Sequence, residues 1–129
     1  MMKAEETTKS IIGTGMEVLN SLRPGLDEKL YEKALEIELK KRGHKVDRQK
    51  VYTVQYKGVP IGELIPDLIV DNLVVVETKV AVDIHDAHIA QVLGYLNITG
   101  LEIGLVLNFK LSKLTWKHLM ADRKSVLSV

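Results

Sequence analysis

Pro66-Asp67-Leu68-Ile69-Val70-Asp71-Asn72-Leu73-Val74-Val75-Val76-Glu77-Thr78-Lys79 is the stretch on which the fold turns. The end of a strand running from about Val59 to Val70, and Leu73 to Val80, read as two apolar strands, the second of the kind buried on both faces. Asp71-Asn72 is a turn signal between them. Strand side chains alternate, so Glu77 and Lys79 share one face and Thr78 points away. Asp67 joins Glu77 only if the turn has an odd length, such as Asp71-Asn72-Leu73. A two-residue turn would place Asp67 opposite Val76, on the wrong face. The sequence therefore predicts a three-residue turn or a bulge, with the two carboxylates about 5 Å apart at Cβ.

A buried carboxylate without a partner costs several kcal/mol, so Glu77 needs either a counter-charge or a task. Lys79 is the nearest counter-charge, and a structural Glu77–Lys79 ion pair is one reading. The other is a hard, oxygen-lined site in which Asp67 and Glu77 grip Mg²⁺ or Mn²⁺, with Lys79 beside it to orient or deprotonate a water or to neutralise a phosphorane-like transition state. Phosphodiester hydrolysis needs those parts.

Working outward, Ile11, Ile12, Gly15, Met16, Leu19 and Leu22 recur at helical spacing over residues 5 to 22. Gly13 and Gly15 weaken that helix and mark a close contact. Arg23-Pro24-Gly25 breaks it. A second helix is predicted from about Asp27 to Arg42, stopped by Gly43. The period becomes two from Val46, through Val51 to Tyr56, with a turn at Lys57-Gly58 and a strand from Val59 to Val70, irregular near Pro60 and Gly62. Residues 86 to 99 read as a helix with Ile89, Val92, Leu93 and Leu96 inward and Gly100 past its end. Ile103 to Phe109 and Leu114 to Met120 give two more strands. The expected order is ααβββαββ: one α/β domain over residues 1–129, a mixed sheet of about five strands flanked by helices.

Composition narrows the chemistry. With 46% apolar and 27% charged residues in 129, the chain is that of a globular protein with one core. The absence of cysteine excludes disulfides, thiolate metal sites and a Cys nucleophile. No apolar run reaches a membrane span and the start lacks a signal-peptide core, so a cytoplasmic protein without membrane contact is expected. The net charge of +1 makes any basic surface a local matter. Lys40, Lys41, Arg42, Lys45, Arg48 and Lys50 form the densest basic run, readable as a phosphate track or as a solvated helix end. Asp83, His85, Asp86 and His88 crowd together without zinc-site spacing. No Ser-His-Asp arrangement stands out.

Pro66-Asp67, nine residues, then Glu77-Thr78-Lys79 resembles the signature of the PD-(D/E)xK phosphodiesterase superfamily. Gly25-Leu26-Asp27-Glu28-Lys29-Leu30-Tyr31 is similar to the motif for which the GxxExxY family is named. The Ala34-Leu35-Glu36 and Glu38-Leu39 helix, the Val54, Tyr56, Lys57, Gly58 strand and the His88, Gln91, Tyr95-Leu96 helix follow in that family's order. The resemblance implies a restriction-endonuclease-like core and a metal-dependent nuclease acting on nucleic acid, with DNA the expected substrate and RNA the alternative. It implies that Asp67, Glu77 and the Thr78 carbonyl bind Mg²⁺ (or Mn²⁺), that Lys79 assists the water, and that Glu28 completes the metal or water shell. Gln91 and Tyr95, one turn apart, would border the site, and His88 lies near them. Tyr31 either contacts the site or packs beneath it. A homodimer, a branched-DNA resolvase and a silent binding or scaffold module are the further readings.

Overall fold

A computed structural model describes residues 2–121. Helix α1 spans Met2–Leu22 and α2 spans Glu28–Lys41. Strands β1 (Val46–Arg48), β2 (Tyr52–Tyr56), β3 (Val59–Leu64), β4 (Leu68–Val70) and β5 (Val74–Lys79) follow. Helix α3 (Asp86–Thr99) leads to β6 (Ile103–Asn108) and β7 (Thr115–Met120). Five strands form a mixed sheet in the order β1-β4-β5-β6-β7, with β5 and β6 parallel and the other pairs antiparallel. This is the restriction-endonuclease-like core that the sequence leads one to expect. Among the described residues β2 and β3 pair only with each other.

The order is therefore ααβββββαββ, because two expected strands each divide. Gln49 takes φ +58° and separates β1 from β2. Ile65 to Asp67 separate β3 from β4, where Pro66 has no N–H to give a ladder. The β2–β3 hairpin, turned by Lys57 and Gly58 at positive φ, leaves Tyr56, Val59 and Ile61 exposed.

Alternation sorts the core into two layers. Leu68, Val70, Val74, Val76, Leu105 and Leu107 face α1 and α2, where Ile11, Leu19, Tyr31, Leu35 and Leu39 meet them. Ile69 and Val75 face Leu96 of α3, with Leu93 and Tyr95 beside them. The buried stripe of α1 is Thr7, Ile11, Thr14, Val18 and Leu19, whereas Met16 and Leu22, expected inward, lie exposed. Gly15 does mark a close contact. A Cβ there would come within 3.0 Å of Leu114 and 3.3 Å of Leu107. Gly104 likewise admits Val92 of α3 against the sheet.

Candidate active site

The register pairs Leu68 with Val76, Ile69 with Val75 and Val70 with Val74, leaving Asp71, Asn72 and Leu73 as a three-residue turn. Asp71 and Asn72 both take positive φ, which Asp and Asn tolerate better than most residues, and Leu73 N–H closes on the Val70 carbonyl. The odd turn sets Asp67 across from Glu77, one step beyond the last backbone pair.

At that step the ladder opens, and the carboxylates take its orphaned donors. Glu77 Oε2 accepts the Asp67 N–H at 2.6 Å. Asp67 Oδ2 accepts the Thr78 N–H at 2.9 Å and the Thr78 hydroxyl at 3.0 Å. Glu77 is 3% exposed. Burial, then the Asp67 charge, pushes its carboxyl up to about 8 against the pull of the Asp67 N–H and Lys79. Burial also raises Asp67, with the Thr78 N–H opposing and the neighbouring Glu32 charge adding to the rise.

Lys79 forms no salt bridge among the described residues. Its Nζ donates to Gln91 Oε1 at 3.2 Å, and Gln91 Nε2 donates to the Tyr95 hydroxyl at 3.0 Å. The Tyr95 hydroxyl is pushed up by burial and then by the Glu77 and Asp67 charges. Glu28 Oε1 accepts the Val80 N–H at 3.0 Å, just past Lys79, and stays exposed. His88 is held below its ordinary value by burial and by Lys79, while its Nδ1 accepts the His85 N–H at the start of α3. Asp67, Glu77, Thr78, Lys79, Gln91, Tyr95 and Glu28 thus lie around one end of the sheet. Among the described residues no three His, Asp or Glu side chains are grouped to hold one ion.

Tyr31 resolves to the packing alternative. It is buried, stacks on Phe109 at 4.7 Å, donates to the Arg23 carbonyl at 2.6 Å and accepts the Leu26 N–H at 3.2 Å, so it fixes the α1–α2 connection. The residue sequence reasoning missed is Glu32, one turn beyond Glu28 and 1% exposed. Its carboxyl reaches that of Asp67, and it is held by Gln49 at 2.9 Å and by Arg48 at 3.4 Å. No local pattern marks it: Glu32 and Glu36, four apart on α2, are both bonded from the distant Arg48. The basic run is largely spent on such partners. Lys40 pairs with Glu36, Arg42 with Glu38, and Arg48 with Glu32 and Glu36.

A Ser-His-Asp chain does exist, contrary to the sequence expectation. Ser10 Oγ lies 2.6 Å from His44 Nε2, and His44 Nδ1 lies 2.7 Å from Asp71 Oδ2. Thr7 and the Lys45 N–H also bond Asp71. Ser10 sits mid-helix, and the N–H groups of Gly43, His44 and Lys45 are already bonded, to the Lys40 and Leu39 carbonyls and to Asp71. No backbone donor there is left for an oxyanion. The chain buttresses the hairpin turn against α1 and the end of α2.

A profile of the PD-(D/E)XK nuclease superfamily matches residues 5–119, and the chain belongs to that superfamily. Searches of curated proteins and of solved structures found no match. No helix of the described residues is long and apolar enough to cross a membrane.

Proposed function

We propose that the protein is a metal-dependent nuclease that hydrolyses phosphodiester bonds in nucleic acid, DNA ahead of RNA, and that it belongs to the GxxExxY branch of its superfamily. The observation that carries this reading is the close pair of half-buried Asp67 and buried Glu77. Two like charges in a poorly solvated place hold each other's protons, and a divalent cation between them relieves both burial and repulsion. The donor set is all oxygen and would suit Mg²⁺ or Mn²⁺: Asp67 and Glu77 would hold the ion, with the Thr78 carbonyl and Glu28 completing its metal or water shell. When bound, such an ion polarises the phosphoryl oxygen and lowers the pKa of a coordinated water.

The chain's own residues do the rest. Gln91 holds Lys79 Nζ, which orients the attacking water and offsets charge developing on the phosphoryl oxygens. Tyr95 fixes Gln91 in turn. Labelled DNA and RNA incubated with Mg²⁺ or Mn²⁺ should be cut by the wild type, and at least a hundredfold more slowly by Asp67→Asn and Lys79→Ala. Cutting unchanged in both variants overturns the assignment.

One observation favours a second reading, a silent module that keeps the fold. Both carboxylates already satisfy backbone or hydroxyl donors and have a structural use without metal. Calorimetry with Mn²⁺ separates the two, since an active centre binds the ion and loses it in Glu77→Gln.

A further inference from the structure

His88 stands at the rim of the site, half-buried, one turn before Gln91 on the same flank of α3. Its ring is fixed from two sides. Nδ1 accepts the His85 N–H at 3.1 Å, and the His85 ring packs against it at 5.3 Å, tilted by 42°. A nitrogen that accepts carries no proton, so the ring is neutral and its one proton is on Nε2. Among the described residues nothing accepts a hydrogen bond from that N–H.

The surroundings narrow what it can bind. Lys79, His85 and Glu28 are the charged groups that act on the ring. Gln91 holds Lys79 Nζ at 3.2 Å, and Glu28 Oε1 is taken by the Val80 N–H at 3.0 Å. Lys79 Nζ and His88 Nε2 can only donate, so what lies between them must accept, and at a phosphodiester centre that is a phosphate oxygen. Spacing decides which phosphate. Tyr95 feels the Glu77 and Asp67 charges, whereas His88, further out along α3, answers to Lys79 and Glu28. Three residues separate His88 from Gln91, about 4.5 Å of helix, against about 3.4 Å per nucleotide of one stacked strand. With Lys79 at the scissile phosphate, His88 therefore falls beside the next one.

We propose that His88 is a substrate-binding residue, its Nε2–H donating to a phosphate oxygen of the nucleotide next to the scissile diester. The assignment rests on the nuclease reading for what is bound. His88 moves no proton in this role, because Nδ1 stays occupied by the His85 N–H.

Two variants separate binding from capping of α3. Asn puts its oxygen where Nδ1 lies and has nothing at Nε2, whereas Gln puts its amide nitrogen where Nε2 lies and gives up the Nδ1 acceptor. The test is fluorescence anisotropy of a labelled twelve-nucleotide oligothymidylate in EDTA, where nothing is cut, beside circular dichroism melts. His88→Asn should keep the wild-type Tm and weaken binding about tenfold or more, the loss of one hydrogen bond to a charged group. His88→Gln should lower the Tm and stay within about threefold of wild-type affinity. The salt slope of His88→Asn should match that of the wild type, since a neutral donor displaces no counterion. Wild-type affinity in His88→Asn, which would make the ring a helix cap or a partner of Glu28, overturns the proposal. So does equal weakening in both variants, a slope lowered by about 0.7, the share of one cation on a single strand, or a wild type that binds no oligonucleotide. Hydrolysis of bis(p-nitrophenyl) phosphate with Mn²⁺ reports the nuclease reading separately. That substrate has no second phosphate, so its KM should rise less in His88→Asn than the oligonucleotide's dissociation constant does, and an equal rise overturns the assignment to the neighbouring phosphate. Wild-type turnover with His88-independent binding sinks only the role of His88, and His88-dependent binding without turnover sinks only the nuclease.

Discussion

Replacing Glu77 by Gln should make the metal-free protein more stable at alkaline pH. Gln keeps the side chain's shape and an oxygen for the Asp67 N–H, and removes the charge. In the wild type the carboxyl is raised from 4.5 to about 8 in the fold. A raised acid contributes stability that is fully present below its unfolded value and lost as pH climbs through the folded one. The wild type therefore loses stability between pH 4.5 and about 8, at up to roughly 1.4 kcal/mol per pH unit, a ceiling of about 5 kcal/mol. Asp67 carries part of the same repulsion, so about half is expected from this side chain alone, or about 10 °C in Tm for a chain of this size. Thermal melts in EDTA at pH 5 and 8.5 check it: the wild type should fall between them and Glu77→Gln should fall much less. Mg²⁺ at a hundred times its dissociation constant should return about 2.7 kcal/mol to the wild type and nothing to the variant. Parallel pH profiles in EDTA for the two proteins would refute the electrostatic account of the pair.

Three further outcomes follow from the packing. Tyr31→Phe should cost about 1–3 kcal/mol in urea unfolding, by stranding the Arg23 carbonyl and Leu26 N–H, and should leave metal affinity by calorimetry unchanged. Gly104→Ala should cost at least 1–3 kcal/mol in the same assay, because its Cβ meets Val92 of α3. Although burial alone would raise Asp71, the His44 ring and the Lys45 N–H hold it below its ordinary 3.8. Its contribution is thus present above pH 3.8 and lost as pH falls through the lower folded value. Acid-unfolding curves of Asp71→Asn should show that the variant is already destabilised at pH 7 and loses less on acidification.

What the sequence made legible was whatever parity and period control. The odd turn at Asp71 to Leu73 follows from requiring Asp67 and Glu77 on one face, and α3 from its spacing and Gly100. The face of α1 was set about a fifth of a turn wrong, because Thr7 and Thr14 are buried and hydrophobic spacing does not count them, whereas Met16 and Leu22 are apolar and exposed. Glu32 was illegible for a related reason. An acid on a helix reads as solvated until Arg48 and Gln49, sixteen and seventeen residues on, are known to come back to it. The chain from Ser10 to His44 to Asp71 spans separations of 34 and 27 residues, which no local pattern reports. The β2–β3 arm was folded into its neighbours because nothing in its alternation says which strand it pairs with.

Among the described residues that arm pairs with no strand of the main sheet, and this decides where the molecule tolerates alteration. Lengthening the Lys57-Gly58 tip displaces no catalytic candidate, so an affinity tag or a reporter loop belongs there. The Asp71–Leu73 turn has no such latitude, since one residue more or fewer would rotate the acid pair out of reach of each other.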